Sequence, residues 1–550
     1  IYNFRAVRDR LEKKGHSLKT QGDTEVLAHL AEDCEPIDVA AHLDGMFAFA
    51  IWDDARRRLV LGRDRFGKKP LFYYAGERCL VFGSEIKAVL AHPSVPRSLN
   101  TEAIPAYLAF GYVPTPGTFF AGIRSLPPGC VLTFDRDGAL SVQSYWSLET
   151  LPQRSPLDRF TPDEAAGKVR TGLRAAVEKR LVADVPVGAF LSGGIDSSAV
   201  VATMADLVTG PVPTFTIGFE DEDGFDERPY ARLVANRFGT DHMEFVVKPN
   251  AIDLVERLVW HHDQPFGDSS AIPTFLLSEL TRGHVTVALC GDGGDEVFAG
   301  YERFAGALAL RQYRRIPQSL RKGINTAVKQ VPDALWHQRG RTIKRFVAQS
   351  ERDPVDAFRE WVSYVPEDLR EALLPSASGW GSEDYRRVWG RFAEAPVLDR
   401  LQLLTIATYL LDDLLPKVDR MSMAHGLEVR SPLLDPHLAG LAFALPPRAR
   451  IRGLSGKWIL KRAMAGILPA EILHRRKRGF GVPLDRWFRR DLHSYVRSTL
   501  GSPTARIRAH VNGEALDRVL QEHASGSRNH GQALWTLLTL EIFLARGDFS

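Results

Sequence analysis

The sequence predicts an α/β protein built from two dissimilar parts. Short apolar segments separated by turns dominate residues 1–150, which indicates a layered α/β domain. From Thr161 onward, long helical segments alternate with short apolar strands, as in a parallel sheet covered by helices. The polar, Pro-containing residues 151–163 are typical of a linker. We therefore expect one domain over residues 1–150 and a second over residues 164–550.

The first part should begin with helices and continue as hairpins. Asn3 is placed to cap a helix over residues 4–14, and a second helix is expected over residues 26–31. The apolar run 44–53 predicts a strand buried on both sides, with residues 58–63 as its hairpin partner. Shorter elements follow: strands at 71–74, 80–84, 129–134 and 142–146, and a helix at 85–91.

The second part should place its chemistry at the ends of strands. Apolar runs at 185–191, 212–219 and 285–289 predict buried parallel strands. Beyond Tyr301 the pattern is almost wholly helical, with amphipathic stretches at 305–314, 401–413 and 529–544. Because ligands of such folds bind at the carboxyl ends of the strands, the residues that follow Leu191 and Leu289 are the first candidates for a site.

Composition excludes several classes of protein. With 550 residues, 44% hydrophobic and 25% charged, the chain has the composition of a globular protein and no apolar run long enough to cross a bilayer. It has no signal-like start, so we expect a cytoplasmic location and no membrane partner. The net charge of +4 is too small to indicate nucleic acid. The four cysteines form no CxxC pair, which favours reduced thiols over structural zinc.

Basic residues nevertheless cluster locally, at 311–322, 339–345 and 475–490. Most such runs are solvated helix faces. We expect one or two of these basic side chains to lie near phosphate groups.

The first glycine loop joins a strand to a helix. It combines glycines with hydroxyl and carboxylate groups: Ser192, Gly193, Gly194, Asp196, Ser197 and Ser198. Glycines let the backbone approach a ligand, and free N–H groups at a helix start suit a phosphate chain. A carboxylate beside phosphates indicates a Mg²⁺ between them. The loop lacks the ending of a Walker motif and the GxGxxG of a dinucleotide fold. An ordinary Gly-Ser turn is the alternative.

The second glycine loop follows the strand that ends at Leu289. It carries three acids within five residues, Asp292, Asp295 and Glu296. Carboxylates that close repel one another unless a cation or basic side chains neutralise them. The sequence therefore predicts a cation site, with a solvated acidic turn as the alternative.

Motifs along nearly the whole chain resemble those of one family, in the same order. The segments are DGMFAFAIWDDARRRLVLGRDRFGKKPLFY, GSEIKAVLAHP, SGGIDSS, LCGDGGDEVFAGY and RMSMAHGLEVRSPLLD. They resemble the glutamine-hydrolysing asparagine synthetases. The resemblance implies an N-terminal-nucleophile amidotransferase sandwich of antiparallel sheets between helices. It implies a second domain of the ATP pyrophosphatase type, a parallel-sheet fold like the adenine-nucleotide α-hydrolases with a helical C-terminal region.

The resemblance also implies an activity. A family member adenylates an acceptor carboxylate, by default aspartate, with Mg²⁺ and ATP. It then transfers ammonia from glutamine, so that the products are an amide, AMP and pyrophosphate. Its partners are these small molecules, and a homodimer is compatible with the sequence.

Site residues follow from the resemblance residue by residue. The nucleotide and pyrophosphate would meet Leu191, Ser192, Gly193, Gly194, Asp196, Ser197, Ser198, Ile217, Cys290 and Gly291, and Mg²⁺ would meet Asp196 and Asp295. Lys457 would stabilise the charge that develops at the α-phosphate, and Asp292 would orient the acceptor or take a proton from ammonia. Lys461, one helical turn away, is the rival for the role of Lys457.

Glutamine hydrolysis in this family needs a cysteine whose free α-amine activates its thiol. The chain as given starts at Ile1, so we expect it to begin inside the amidotransferase domain and to lack glutaminase activity. Asp23 alone matches a glutamine-binding position, where a carboxylate meets the α-ammonium of glutamine. A helix cap is the alternative role for Asp23.

Two other functions remain open. The acceptor can be another carboxylate, such as a sugar acid of surface polysaccharides, because residues 263–270 contain no Arg or Lys to bind the α-carboxylate of aspartate. Arg420 and Arg430 are candidates for that contact. The second alternative is a protein that binds nucleotide without catalysis.

Overall fold

A computed structural model gives the arrangement of the chain. It describes residues 1–77, 79–151, 160–219, 226–247, 251–330, 346–375, 382–477, 479, 481–547 and 549. Most of the predicted linker and the basic run 339–345 lie outside the described residues, so the predicted division into domains stays a prediction.

Within the described residues, twelve strands form the sheets. They are β1 (Ala48–Asp53), β2 (Arg58–Arg63), β3 (Phe72–Ala75), β4 (Leu80–Gly83), β5 (Ile123–Ser125), β6 (Cys130–Phe134), β7 (Leu140–Ser144), β8 (Val187–Phe190), β9 (Pro213–Phe219), β10 (Asp241–Val247), β11 (Val287–Leu289) and β12 (Glu428–Arg430).

The first part is a sandwich of two antiparallel sheets. One has the order β1-β2-β6-β7 and the other the order β4-β3-β5. Leu61, Tyr73 and Leu132 pack between the sheets, and the helices Phe4–Lys13 and Glu25–Asp33 cover the outer face of the larger sheet. This arrangement confirms the predicted α/β fold class.

Two local predictions in this part are wrong. Asn3 does not cap the first helix, because its Oδ1 accepts a hydrogen bond from the distant Asp44 N at 2.8 Å. Strand β1 is not buried on both faces, since Trp52 is 54% exposed. β1 is an edge strand, and on that face only Ala48 reaches the apolar cluster between the sheets.

The second part contains the predicted parallel sheet. Its order is β10-β9-β8-β11-β12, and every neighbouring pair is parallel. The chain builds outward from β8 to β10 and then returns to the other side of β8 with β11. A crevice opens at the carboxyl ends of β8 and β11, where the direction of winding reverses, and ligands of such sheets bind there.

Helices pack on the sheets of both parts and form the C-terminal region. Those of the described residues are Phe4–Lys13, Glu25–Asp33, Pro36–Ala41, Ile86–Leu90, Ala103–Phe110, Pro162–Arg180, Ile195–Leu207, Arg228–Phe238, Ala251–His262, Ala271–Arg282, Gly294–Val297, Glu302–Tyr313, Gln318–Gln330, Pro354–Val362, Glu367–Leu373, Ser382–Arg391, Val397–Thr405, Leu415–Met423, Pro436–Ala444, Pro447–Arg450, Trp458–Ala463, Ala470–His474, Leu484–Arg489, His493–Leu500, Gly513–Ser525 and Gly531–Arg546. A π-helical stretch, Ile406–Leu414, joins two of them into one continuous rod.

The two parts share a hydrophobic core. Phe119 packs edge-on against Phe543, and Tyr107 OH donates to the Thr536 carbonyl oxygen at 2.9 Å. Lys69 forms an ion pair with Asp419 at 2.7 Å across the same boundary. Among the described residues, none of the helices has the length and apolar character that crossing a membrane requires.

Candidate active site

A cavity of about 1130 Å³ opens at the carboxyl ends of the central parallel strands. The predicted residues that line it are Leu191, Ser192, Gly194, Asp196, Ser197, Ile217, Cys290, Gly291, Asp292, Asp295 and Lys457. The structure thus brings together residues that lie far apart in the sequence. Gly193 and Ser198 are not on the wall: Gly193 turns the chain with φ +66°, and the Ser198 side chain is buried beneath the loop.

The first glycine loop presents polar groups to this cavity. Gly194 occupies the N-cap position of the helix Ile195–Leu207, and no side chain within the described residues caps this helix. The N–H groups of the first turn are therefore open to an anion. Ser192 Oγ and Ser197 Oγ lie 3.1 Å apart, and Arg475 Nη1 donates to the Ser192 carbonyl oxygen at 2.9 Å.

The two glycine loops touch each other, and this contact explains why positions 291 and 294 are glycine. A Cβ on Gly291 would lie 2.7 Å from Ser197 N, and a Cβ on Gly294 would lie 2.4 Å from Asp196 Oδ1. Any larger residue would separate the loops. The contact places the carboxylates of the two loops side by side.

Lys457 lies between the two carboxylates. Its Nζ donates to Asp196 Oδ2 and is 2.6 Å from Asp295 Oδ1. Lys457 is only 4% exposed and has a left-handed backbone, with φ 54° and ψ 29°. Such a conformation is costly for a residue other than glycine and persists where the surroundings enforce it, commonly at functional sites.

Gly300 makes room for this lysine. A Cβ at Gly300 would lie 2.1 Å from Lys457 Cε and 2.1 Å from Asp295 Oδ1. Lys477 contacts the other oxygen of the same carboxylate, with its Nζ 2.5 Å from Asp295 Oδ2. The acid pair is thus neutralised by two lysines.

The surroundings shift the pKa values of Asp196 and Asp295 in opposite directions. Burial raises the pKa of Asp196. Burial alone would also raise the pKa of Asp295, but the charges of Lys457 and Lys477 outweigh it and hold that pKa below its ordinary value. Burial, together with the charge of Asp295, raises the pKa of Glu296 to about 7.

The acid pair fits a hard divalent cation. Asp196 Oδ1 is buried and has no hydrogen-bond partner among the described residues, while the other oxygens of the pair face only lysine nitrogens. Carboxylate oxygens without nitrogen or sulfur donors are the ligands that Mg²⁺ prefers. Asp196 and Asp295 are therefore suited to Mg²⁺.

Lys461, the rival cation, lines the same cavity but contacts neither acid. Its Nζ donates to Ser455 Oγ at 3.1 Å. Burial lowers its pKa, and the charge of Lys457 lowers it further. The geometry favours Lys457 as the cation at the acid pair.

Asp292 stands beside a buried thiol. Cys290 Sγ donates to Asp292 Oδ2 at 2.9 Å. Burial and the charge of Asp292 raise the pKa of Cys290 to about 12, so the thiol stays protonated. Asp292 is half-buried on the cavity wall, where a small ligand can reach it.

The sequence predicted a basic run near phosphate groups but did not say which of its residues belong to the site. Arg475, Arg476 and Lys477 line the cavity and belong to the predicted basic run 475–490. Arg475 Nη2 also donates to Glu227 Oε1 at 2.8 Å. The run was visible in the sequence, but only the fold shows which of its members face the acids.

A second polar group on the cavity wall was also missed. Lys417 Nζ donates to Asp268 Oδ2 at 2.8 Å and to Ser270 Oγ at 2.7 Å. About 150 residues of chain separate Lys417 from these partners, so no local pattern predicts the contact. Arg420 and Arg430, the candidates from sequence, do not line this cavity: Arg420 bonds the Ser84 carbonyl and Arg430 the Arg180 carbonyl.

Asp23 lies at a different cavity, of about 740 Å³, between the two parts of the chain. Its Oδ2 is 2.7 Å from the Ile1 nitrogen. Thr24 occupies the cap position of the following helix, and the helix has no side-chain cap bond among the described residues. The helix-cap alternative for Asp23 is therefore not what the structure shows.

Comparison with known proteins decides the family. The profile of asparagine synthase matches residues 168–545, and that of the glutamine amidotransferase domain matches residues 1–146. The chain belongs to the asparagine synthase family. It is 31% identical to asparagine synthetase [glutamine-hydrolyzing] 1 of Bacillus subtilis over 99% of this chain and 84% of that protein. It is 34% identical to a putative asparagine synthetase [glutamine-hydrolyzing] of Mycobacterium bovis over 99% of this chain and 83% of that one.

Glu296 provides a test of the electrostatics of this asparagine synthase site. Its pKa is raised from 4.5 to about 7, so the folded chain binds a proton that the unfolded chain has lost. Its contribution to the free energy of unfolding is complete below pH 4.5 and is lost as the pH rises through about 7. Glu296→Gln should therefore flatten the decline of stability between these pH values. Urea unfolding across this range measures the effect.

The matched control for this test is Glu178→Gln, an exposed glutamate on the helix Pro162–Arg180. It should leave the pH dependence of stability unchanged. An equal slope for the parent chain and Glu296→Gln would show that folding leaves the pKa of Glu296 unchanged.

Proposed function

We propose that the chain is an ATP-dependent amide ligase that adenylates aspartate and transfers ammonia to the acyl-adenylate. The observation that carries the proposal is the pair of acids on the two glycine loops, Asp196 and Asp295, with Lys457 bound between them. Family membership supports the reaction type. The acceptor and the roles of single residues are part of the proposal.

The phosphates of ATP suit the first glycine loop. The open N–H groups at the start of helix Ile195–Leu207 and the hydroxyls of Ser192 and Ser197 are donors on the cavity wall. Leu191, directly after β8, and Ile217, in the second half of β9, lie on the same wall, where we place the adenine. The departing pyrophosphate then remains at the loop.

Asp196 and Asp295 would hold Mg²⁺. The ion supplies charge neutralisation to the phosphate oxygens when bound. With a cation at the acids, the ammonium of Lys457 is no longer needed to neutralise them and is available to the α-phosphate. There a fixed positive charge stabilises the negative charge that gathers during transfer.

The charged groups on the cavity wall favour an amino acid as the acceptor. Lys417 and Asp268 form an ion pair on the cavity wall, one positive and one negative group 2.8 Å apart. Aspartate carries an α-carboxylate and an α-ammonium beside the carboxylate to be activated, so the charges are complementary. A sugar acid has no ammonium for Asp268. Asp292 is the proposed group that orients the acceptor or takes the proton from ammonia.

In the intact enzyme, glutamine is the proposed source of ammonia. The amidotransferase profile spans the sandwich of the first part, and Asp23 lies at the cavity between the parts. In this proposal the Asp23 carboxylate binds the α-ammonium of glutamine.

The experiment is acceptor-dependent release of pyrophosphate from Mg-ATP with ammonium supplied. Aspartate should give turnover, while succinate, which lacks the α-ammonium, should give much less. Glucuronate serves as the sugar-acid arm. Turnover with glucuronate and none with aspartate would contradict aspartate as the acceptor but would still support the adenylation reaction. Binding of Mg-ATP without pyrophosphate release for any carboxylate would overturn the ligase proposal.

A further inference from the structure

A cluster of metal-ligand side chains lies on the surface of the first part. His16 follows the helix Phe4–Lys13, and His29 and Glu32 lie one turn apart on the helix Glu25–Asp33. Their ligand atoms converge. His16 Nδ1 is 3.2 Å from His29 Nδ1 and 3.3 Å from Glu32 Oε2, and His29 Nδ1 is 3.7 Å from the same oxygen.

These distances match the coordination shell of a small metal ion. Ligand atoms 2.0–2.1 Å from a tetrahedral Zn²⁺ stand about 3.3 Å apart. The three edges of the cluster lie within 0.4 Å of that value. Two imidazole nitrogens and one carboxylate oxygen form a donor set that suits zinc and its neighbours, and does not suit Mg²⁺.

The remaining ring nitrogens also face carboxylates. His16 Nε2 is 3.3 Å from Asp33 Oδ1, and His29 Nε2 is 3.8 Å from Glu25 Oε1. Asp33 is held in turn by Lys14 at 2.9 Å, and Glu25 accepts two backbone N–H bonds at 2.7 Å. Carboxylates behind histidine ligands orient the rings and increase their basicity at metal sites.

We propose that His16, His29 and Glu32 bind one divalent transition-metal ion of the zinc class, with water as a further ligand. The histidine side chains are 13% and 19% exposed and that of Glu32 is 65% exposed, so an ion enters from solvent. The site contains no cysteine, which is why the cysteine pattern did not reveal it.

The proposed ion has a structural role. It ties the segment 14–24 to the helix that follows, and Asp23 at the cavity between the parts belongs to this segment. Of the residues described at the two large cavities, none is a ligand of the cluster. The ion therefore steadies the chain near Asp23 without entering the adenylating site.

The test uses the full chain, stripped of metal and titrated with Zn²⁺ alone, with Co²⁺ as a spectroscopic probe. We expect one equivalent to bind, the visible bands of four-coordinate Co²⁺ to appear, and Tm to rise with ion concentration. His29→Gln should abolish the Co²⁺ bands, and Glu32→Gln should weaken Zn²⁺ binding at least about tenfold. His92→Gln, an exposed histidine of the same part, should bind as the parent chain does.

Two results would overturn the proposal. One is the absence of Co²⁺ bands and of a Zn²⁺-dependent rise in Tm for the parent chain. The other is equal Zn²⁺ affinity in Glu32→Gln and the parent, which would place the ion elsewhere. Because Glu32 is largely exposed, its substitution leaves the core intact, and the comparison holds even where a histidine variant fails to fold.

Discussion

Asp196→Asn and Asp295→Asn should each reduce acceptor-dependent pyrophosphate release on the order of 10²-fold or more. Each substitution removes one of the two formal charges that face the proposed Mg²⁺. It also leaves the positive charges of Lys457 and Lys477 in excess, which repels a divalent cation. The measurement is the rate of pyrophosphate release as Mg²⁺ is varied at constant ATP, and the Mg²⁺ requirement should rise.

The matched control for the acid pair is Asp163→Asn. Asp163 also pairs with a basic residue, Arg462 at 2.8 Å, but on the exposed surface. Exposed pairs contribute little, so this variant should keep the parent rate. Normal pyrophosphate release in both site variants would remove Asp196 and Asp295 from the metal site.

Lys457→Ala should lower kcat on the order of 10²-fold while changing the affinity for ATP much less. The reason is that the ammonium acts on charge that develops only during transfer at the α-phosphate. Lys461→Ala should be mild by comparison, because Lys461 contacts Ser455 and neither acid of the pair. The reverse ranking of the two variants would move the role to Lys461. Steady-state kinetics with ATP varied separates kcat from KM.

The same variant has a second readout in stability. Without Lys457, Asp196 loses its ion-pair partner, and breaking a buried pair from one side costs on the order of 3 kcal/mol. Mg²⁺ alone should therefore raise the Tm of Lys457→Ala more than that of the parent chain, since the ion replaces the missing charge. An equal rise of Tm in both proteins would contradict the idea that Lys457 and Mg²⁺ neutralise the same two carboxylates.

Local sequence patterns predicted the elements of the fold well. Strand β2 runs from Arg58 to Arg63, as predicted, and the predicted strands 185–191 and 285–289 appear as Val187–Phe190 and Val287–Leu289. These elements have a short-range signal, because alternation and apolar runs follow from which faces of a strand are buried. The same signal failed for β1. An apolar run shows that a strand can be buried, but only the neighbouring sheet decides how much of each face is covered.

The residues of the candidate site likewise fall into those with a local sequence signal and those without one. Glycine and acid motifs directly after strands were enough to single out Asp196, Asp295 and Asp292 as candidates, and all three line the cavity, because close backbone approach and clustered charge demand those residue types locally. The ion pair between Lys417 and Asp268 has no local signature. It forms because the helix Leu415–Met423, which carries Lys417, packs against the helix Ala271–Arg282, and Asp268 lies just before that second helix.

The sequence by itself determined the fold class, the family and the residues of the two glycine loops. The tertiary structure alone decided which cations face them, because charge pairing depends on distance in space and not on separation along the chain. It placed Lys457 between two acids and Lys477 behind one of them, and it removed Arg420 and Arg430 from the cavity. It also brought together His16 and His29, 13 residues apart, because the segment that follows the first helix folds back onto the helix Glu25–Asp33.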